Sequence, residues 1–174
     1  LAKALLAAFG GGLAAPSANP FGRISPTEAS HVRAYFPGLT LVDGGPCSFG
    51  LESTIVSLLD DRPRVLRPGA LPLATLREAL DGMTIHTAEP GSAAPRVPGS
   101  LPAHYAPSTP LEIVPVGQIR QRATALSTQG MRVALLRHHR GPRRPTLALP
   151  QFLMPAAATD YGRRLYACLR EIDQ

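Results

Sequence analysis

The chain has 174 residues, of which 44% are hydrophobic, and this is enough to build the core of one domain or of two small ones. No apolar run approaches the roughly 18 residues that a membrane helix needs, so we expect no membrane-spanning segment. The net charge of +6 suits phosphate-bearing partners, although it also fits a genome that favours arginine codons, because Lys3 is the only lysine. Cys47 and Cys168 lie far apart and match no disulfide framework or metal-binding spacing, which indicates reduced thiols in a cytoplasmic protein.

Short helices, strands and polar loops alternate in the first half of the predicted fold. Ser25, Pro26 and Glu28 are typical of a helix start, with serine as the N-cap, proline at the first helical position and glutamate at the third. The β-branched run "STIVSLL" and the segment "RVLRPG" flank a polar turn, so residues 53–67 are predicted to form a hairpin. The other predicted elements of this half are a helix over 1–9 that ends at glycines 10–12, strands over 13–15 and 39–42, and a helix over 73–80.

A proline-rich segment divides the chain. Residues 88–110 hold six prolines and two glycines, which suits a stiff, extended linker better than a helix or strand. The elements predicted after it are a strand over 111–116, a helix over 118–129, a strand over 131–137 and a helix over 158–172. Because strand, helix and strand follow one another there, the pattern indicates a parallel βαβ unit. The sequence therefore predicts an α/β chain with domains over 1–87 and 111–174.

The loop "APSANPFGRISPTEASHV" is unusually rich in side chains that bind anions. Ser17, Asn19, Ser25 and Thr27 fall within it, directly before a predicted helix whose N-terminus directs free N–H groups and a positive dipole end at the loop. This arrangement is typical of a phosphate or carboxylate site. The structural alternative is that Ser25 only caps the helix and Asn19 only forms a turn.

Three later segments carry further candidate residues. In "GLESTIV", Glu52 and Ser53 stand at the mouth of an apolar strand. In "LRPGAL", Arg67 ends a strand, so its guanidinium can bind a phosphate or carboxylate bidentately; the alternative is a surface ion pair with Asp60 or Asp61. In "PAHYAP", His104 and Tyr105 stand between prolines, either as part of a rigid recognition segment or as a simple packing anchor.

Taken in this order, "PSAN…G…SPT", "DGG…GLESTIV", "LRPGAL" and "HYAP" resemble the threonylcarbamoyl-AMP synthase family, and more narrowly its two-domain branch. The resemblance implies the C-terminal half of a YrdC-like twisted mixed sheet over 1–87, a linker or lid over 88–110, and a partial Rossmann-like βαβ domain over 111–174. Nothing in the chain corresponds to the Lys-Arg pair of the family's N-terminal half. We therefore expect a fragment that carries half of an active site, has exposed apolar surface and is inactive by itself.

The resemblance also implies a reaction. Such enzymes combine L-threonine, bicarbonate or carbon dioxide, and ATP into threonylcarbamoyl-adenylate and pyrophosphate, and downstream machinery uses the product to modify tRNA. Positioning and charge neutralisation, with magnesium helping, are sufficient for this chemistry, so no catalytic nucleophile and no metal-ligating residue is assigned. The residues that match family positions are Ser17 and Ser53 for threonine, and Asn19, Thr27, Arg67 and Tyr105 for ATP.

The family's linker tyrosine closes over the nucleotide, which implies a lid in this chain. We expect residues 88–110 to lie across the first domain, with Tyr105 directed toward the groove between the "PSAN" loop and Arg67, and with His104 holding the segment by hydrogen bonds. Proline restriction lowers the entropy that such a segment loses on docking. Ser25 and Glu52 are expected to shape the site rather than to touch substrate.

Two other functions compete with this interpretation. A YrdC-like fold without catalysis could bind tRNA or double-stranded RNA, and the segment "RHHRGPRRP" over 137–145 is basic. Charge runs are usually solvated loops, however, and this one lacks the aromatic residues that stack on bases. A transferase relative that uses carbamoyl phosphate is the other alternative, and the "HYAP" segment argues against it.

Overall fold

A computed structural model describes residues 1–59, 61–87, 95, 97–99, 105–138 and 147–174. The chain forms two compact units, Leu1–Ala106 and Pro107–Gln174, and both contain helices and strands, which confirms the predicted α/β class. The helices are α1 (Ala2–Phe9), α2 (Ala29–Tyr35), α3 (Leu73–Ala79), α4 (Ile119–Thr128) and α5 (Ala158–Ile172), with a short 3-10 helix over Val116–Gln118. The strands are β1 (Ile55–Ser57), β2 (Arg64–Arg67), β3 (His86–Thr87), β4 (Leu135–His138) and β5 (Gln151–Met154).

Helix α1 ends where the sequence predicts. Gly10 adopts a left-handed conformation, with φ 72°, and its N–H donates to the Leu6 carbonyl at 3.0 Å. No residue of α1 is buried, and the side chains of Leu5 and Phe9 are exposed. The exposed apolar surface expected from the sequence is therefore present on this helix.

The predicted start of helix α2 is wrong. The helix begins at Ala29, and its N-cap is Glu28, in an extended conformation. Ser25 does not cap it, because the Ser25 hydroxyl donates instead to a Glu52 carboxylate oxygen 27 positions along the chain, at 2.5 Å. A tertiary hydrogen bond has thus replaced the local capping bond. The helix ends at Tyr35, before the dipeptide Phe36-Pro37, since the residue before a proline disfavours the helical region.

The first sheet is mixed and has the strand order β1-β2-β3. Strands β1 and β2 form the predicted antiparallel hairpin, and β2 pairs in parallel with β3, with α3 lying between them in the chain. Val65 and Ile85 are buried at this sheet. Residues 13–15 and 39–42 are described but form no strand, contrary to prediction, because no described strand pairs with them.

The second unit contains a parallel pair, with β4 and β5 in register from Leu135 opposite Gln151 to His138 opposite Met154. Helix α5 packs against β5, and the buried side chains here are Ala123, Met154, Cys168 and Leu169. The strand predicted over 111–116 is absent from these described residues. Pro115 lies within the segment and Pro110 directly before it, and both lack the N–H that a strand ladder requires.

The start and the end of this second unit are joined by hydrogen bonds. The backbone N–H groups of Ser108 and Thr109 donate to the two carboxylate oxygens of Asp173, at 2.8 and 2.7 Å. These charge-assisted bonds hold the first residues of the unit against the C-terminal end of α5. Among the described residues, no helix is both long and apolar enough to cross a membrane.

The two cysteines are free but differ in accessibility: Cys47 is exposed and Cys168 is buried. Burial raises the pKa of the Cys168 thiol, because desolvation penalises the thiolate. Less of this thiol is therefore ionised near neutral pH. We expect a thiol reagent to label Cys47 in the folded chain and to reach Cys168 only after unfolding. Equal labelling rates at both cysteines under native conditions would contradict this burial.

Candidate functional site

The hairpin of β1 and β2 brings Arg67 beside Ser53. Ile55 pairs with Arg67 in the antiparallel register, so the end of β2 lies opposite the segment that enters β1. The Arg67 Nε and Nη2 groups both donate to the Ser53 carbonyl, at 3.0 and 2.9 Å, and Nη2 also donates to Ser53 Oγ at 3.1 Å. The guanidinium is thus held in a fixed orientation by one residue of the neighbouring segment.

Tyr105 completes this cluster. The Arg67 Nη1 group donates to Tyr105 Oη at 3.1 Å and to the Pro98 carbonyl at 2.8 Å. Tyr105 is half-buried and has a φ of 55°, and the next residue, Ala106, donates its N–H to the Gly22 carbonyl at 3.0 Å. A parallel bridge between Arg23 and Ala106 continues this pairing. The segment at Tyr105 is therefore tied both to Arg67 and to the "PSAN" loop.

The charge of Arg67 is not neutralised within the cluster. A guanidinium has five N–H donors, and all five are engaged here, by two carbonyls and two hydroxyls. Among the described residues, every hydrogen-bond partner of Arg67 is a neutral oxygen, so the ion pair with Asp61 considered above is not what holds it. Asp60 lies outside the described residues. A positive charge beside hydroxyls is suited to an anionic ligand.

Two glycines permit the close approaches on which the cluster depends. A Cβ at Gly69 would lie 2.4 Å from the Ser53 carbonyl carbon and from the Thr54 nitrogen, so only glycine fits. Reciprocal bonds between Thr54 Oγ1 and the backbone of Leu71, at 2.9 and 3.1 Å, hold the two segments together. At Gly99, where φ is +93°, a Cβ would lie 3.2 Å from the Tyr105 ring.

The "PSAN" loop is linked to the same region through Ser25. The Ser25 hydroxyl donates to Glu52 Oε1 at 2.5 Å and also lies 3.4 Å from Asn19 Oδ1. Asn19 Nδ2 donates to the carbonyls of Pro20 and Arg23, at 3.1 and 3.0 Å, so both of its amide hydrogens shape the loop. Because Ser25 is buried and Glu52 directly precedes Ser53, this chain of bonds couples the loop to the Arg67 cluster.

Thr27 follows two residues later and is buried, with 8% of its surface exposed. Its backbone N–H donates to His31 Nδ1 at 3.2 Å, and its hydroxyl lies 3.3 Å from the same nitrogen. Its carbonyl accepts the N–H of Cys47 at 2.8 Å. Thr27 is consequently fixed on both sides of its peptide backbone.

Two family models together cover almost the whole chain. Residues 1–69 match the model described as "Telomere recombination", and residues 71–174 match the one described as "Threonylcarbamoyl-AMP synthase, C-terminal domain". The second match alone covers more than half of the chain. The chain belongs to the threonylcarbamoyl-AMP synthase family. The resemblance inferred from the four motifs is thereby confirmed.

Curated relatives in this family come from distant organisms. The threonylcarbamoyl-AMP synthase of Pyrococcus abyssi is 38% identical over 120 residues, covering 66% of this chain and 35% of that protein. The Bacillus subtilis enzyme is 40% identical over 116 residues, covering 65% of this chain and 34% of its own. This chain spans about a third of the length of the curated relatives it matches.

Solved structures of the family share the fold. The crystal structure of Pyrococcus abyssi Sua5 complexed with L-threonine superposes with a TM-score of 0.68 at 29% identity, covering 91% of this chain and 48% of that one. A variant of the same protein, with a histidine and the adjoining tyrosine replaced by alanine, superposes with a TM-score of 0.66 at 27% identity, covering 91% and 47%.

The residues that match family positions fall into three groups. Ser53, Arg67 and Tyr105 form one hydrogen-bonded cluster, and Asn19 is linked to it through Ser25 and Glu52. Ser17 is exposed on the same loop, and no side-chain hydrogen bond joins it to the cluster among the described residues. Thr27 is held by His31 instead. His104, which was expected to hold the lid, lies outside the described residues.

Sequence reasoning missed the glycines and the backbone acceptor that hold the cluster together. Gly69 approaches Ser53 too closely for any Cβ, a Cβ at Gly99 would crowd the Tyr105 ring at 3.2 Å, and the carbonyl of Pro98 accepts from Arg67. The Pro68-Gly69 dipeptide directly after a strand was a visible signal of a tight turn. The contact of His31 with Thr27 was also missed; His31 lies in the first turn of α2, from where a side chain can reach back to a backbone N–H that precedes the helix.

Proposed function

We propose that this chain supplies part of the site at which L-threonine, bicarbonate or carbon dioxide, and ATP become threonylcarbamoyl-adenylate and pyrophosphate, for the modification of tRNA in the cytoplasm. One observation carries the proposal: the Arg67 guanidinium is surrounded by neutral oxygens from Ser53 and Tyr105, within a chain of this family. The relative whose structure contains L-threonine supports the choice of amino acid.

Arg67 is proposed to bind the phosphates of ATP. Since all five of its donors are already engaged, a phosphate oxygen must take the place of a neutral acceptor, and Ser53 Oγ, which a rotation of the serine side chain carries away, is the one that can be displaced while Tyr105 keeps its bond. A charged acceptor forms a shorter and stronger hydrogen bond than a neutral one, which makes this exchange favourable. The carbonyl of Ser53 keeps its two bonds and holds the guanidinium in orientation.

The loop residues are proposed to serve either threonine or ATP. Ser17 and Ser53 are proposed to contact threonine, because both are exposed hydroxyls on the two segments that the Ser25–Glu52 bond joins. Asn19 is proposed to serve the ATP side by fixing the shape of the loop, since its amide hydrogens are both engaged within it. Thr27 is proposed to contact ATP through the 8% of its surface that is exposed.

The proposed chemistry needs positioning rather than a protein nucleophile. The threonine nitrogen, as the free amine, forms a bond to the carbon of carbon dioxide and releases a proton to solvent, giving a carbamate, and a carbamate oxygen then attacks the α-phosphorus. The bond between that phosphorus and the bridging oxygen breaks, and pyrophosphate leaves with the electron pair. Charge accumulates on the phosphate oxygens, and the positive charge of Arg67 stabilises it. Holding both reactants in line lowers the remaining entropic barrier.

Magnesium is proposed to arrive with ATP, where it neutralises phosphate charge. Magnesium keeps several waters and usually binds through one or two carboxylates together with substrate phosphates. The part of the chain that the structure describes contains no group of three or more His, Cys, Asp or Glu side chains that could hold a metal ion. We propose that the ion is bound by the phosphates of the nucleotide.

Tyr105 is proposed to act as the lid over the nucleotide. Tyr105→Phe removes only the hydroxyl that contacts Arg67, and we expect the KM for ATP to rise by about threefold, whereas Tyr105→Ala also removes the ring and is expected to raise it by about tenfold or more. Tyr161→Phe is the matched control, because Tyr161 belongs to the second unit and stacks on His138. An unchanged KM in Tyr105→Ala would show that the segment is only a tether.

The proposed function is tested by measuring pyrophosphate release in the protein that contains this chain. With ATP, magnesium and bicarbonate present, we expect release to require L-threonine and to fall when carbon dioxide is removed from the buffer. Release that is independent of threonine would indicate an ordinary ATPase and overturn the proposal. The basic segment over 137–145, on which RNA binding was considered, lies mostly outside the described residues, so a tRNA or double-stranded RNA contact stays a prediction.

A further inference from the structure

His31 lies on helix α2, four residues after Thr27, and no step of the proposed reaction uses it. Its side chain is largely shielded from solvent, with 15% exposed. We infer that His31 is a positioning residue, which holds Thr27 in the conformation that receives ATP. The inference rests on the proposed function, because it concerns the threonine proposed to contact the nucleotide.

The contacts of the imidazole define its tautomer. Nδ1 accepts the Thr27 backbone N–H at 3.2 Å, so this nitrogen carries no proton. In the neutral ring the proton must then lie on Nε2, which is 3.4 Å from a carboxylate oxygen of Glu28. That same oxygen accepts the Ser30 hydroxyl at 2.5 Å, which fixes the carboxylate. The ring is therefore oriented from both of its nitrogens.

The consequence for Thr27 is an ordered hydroxyl. Thr27 Oγ1 lies 3.3 Å from the same Nδ1 atom that accepts the backbone N–H, so the imidazole contacts both the peptide and the side chain of this residue. A buried N–H without an acceptor is costly, and a β-branched side chain beside a fixed peptide has few rotamers. Losing the acceptor would release both groups.

A purely structural role for His31 predicts a different outcome from a positioning role. The Thr27 carbonyl is held independently by the Cys47 N–H, so the segment keeps one anchor when the imidazole is lost. The effect of removing His31 should therefore appear in nucleotide binding and leave the use of threonine almost unchanged. Asparagine can place an acceptor where Nδ1 lies, whereas glutamine places its amide where Nε2 lies.

The experiment compares His31→Gln, His31→Asn and the matched control His86→Gln, in which an exposed histidine of β3 is changed. In the protein that contains this chain, we expect His31→Gln to raise both the Kd and the KM for ATP about fivefold, the value of one lost hydrogen bond. We expect the KM for threonine to change by less than about twofold. His31→Asn should restore most of the ATP affinity, and ¹⁵N NMR of the unsubstituted protein should show a proton on Nε2 of His31.

Each alternative result is informative. If the unsubstituted protein binds ATP and both His31 variants bind it equally well, the inference is overturned while the proposed function stands. The inference also fails if Nδ1 carries the proton, if asparagine does not rescue, or if the KM values for ATP and threonine rise together. If the unsubstituted protein does not bind ATP, both the proposed function and the role inferred for His31 are wrong.

Discussion

Gly69→Ala is expected to destabilise the first unit by about 2–3 kcal/mol, the upper part of the range for overpacked positions. The added Cβ would lie 2.4 Å from backbone atoms of Ser53 and Thr54 and 2.5 Å from the Glu52 carbonyl oxygen. Because these are backbone atoms, no side chain can rotate away to relieve the clash. The turn after β2 must move away from the segment that carries Ser53, which also displaces the residue that orients Arg67.

The measurement is the midpoint of denaturant unfolding of the chain, with Gly38→Ala as the matched control. Gly38 also belongs to the first unit, has no neighbour within 4 Å of an added Cβ and does not adopt a positive φ, so its substitution should leave stability almost unchanged. Unfolding of the two variants at the same denaturant concentration would contradict the close packing of Gly69 against Ser53.

Arg67→Ala is expected to lower kcat/KM for ATP by tenfold to a hundredfold, in line with the loss of about 1.5–3 kcal/mol from a hydrogen-bonded charged group. The loss has two sources. The charge proposed to meet the phosphates disappears, and the bonds that connect Ser53, Pro98 and Tyr105 are removed together. The effect on the free energy of unfolding should be smaller, because Arg67 is only half-buried.

Two further substitutions separate charge from geometry. Arg67→Lys keeps the charge but cannot donate from Nε and Nη2 to the same Ser53 carbonyl, so we expect an intermediate loss. Arg62→Ala removes an exposed arginine from the turn before β2 and should leave the kinetics unchanged. Full activity of Arg67→Ala, in contrast, would reduce Arg67 to a structural link between segments.

The sequence correctly predicted the elements that are determined by residues close together in the chain. The hairpin of β1 and β2 follows from β-branched runs around a polar turn, and α1 ends at Gly10 because glycine readily adopts a positive φ. The start of α2 was mispredicted, although the capping pattern at Ser25 is good. The competing acceptor, Glu52, lies 27 residues away. The residues around Ser25 therefore cannot show whether its hydroxyl caps the helix or forms a hydrogen bond with a distant part of the chain.

The candidate site likewise contains residues that the sequence identified and contacts that it did not. Arg67 and Tyr105 were identified by motif resemblance, and the structure joins them by a hydrogen bond. The Pro98 carbonyl and Gly99, which complete the contact, carry no signal of their own in a proline-rich segment. The strand predicted over 111–116 is also absent, although Pro115 within the segment and Pro110 directly before it were visible signals against a strand.

The most direct test of the proposed reaction follows the carbon of bicarbonate. The protein that contains this chain is incubated with ATP, magnesium, L-threonine and ¹³C-bicarbonate, and the adenylate fraction is analysed by mass spectrometry. We predict a threonylcarbamoyl-adenylate that carries one ¹³C atom, that is absent without threonine, and that decreases by tenfold or more in Arg67→Ala. An adenylate of threonine that contains no carbon from bicarbonate, or equal labelling in Arg67→Ala, would contradict this account.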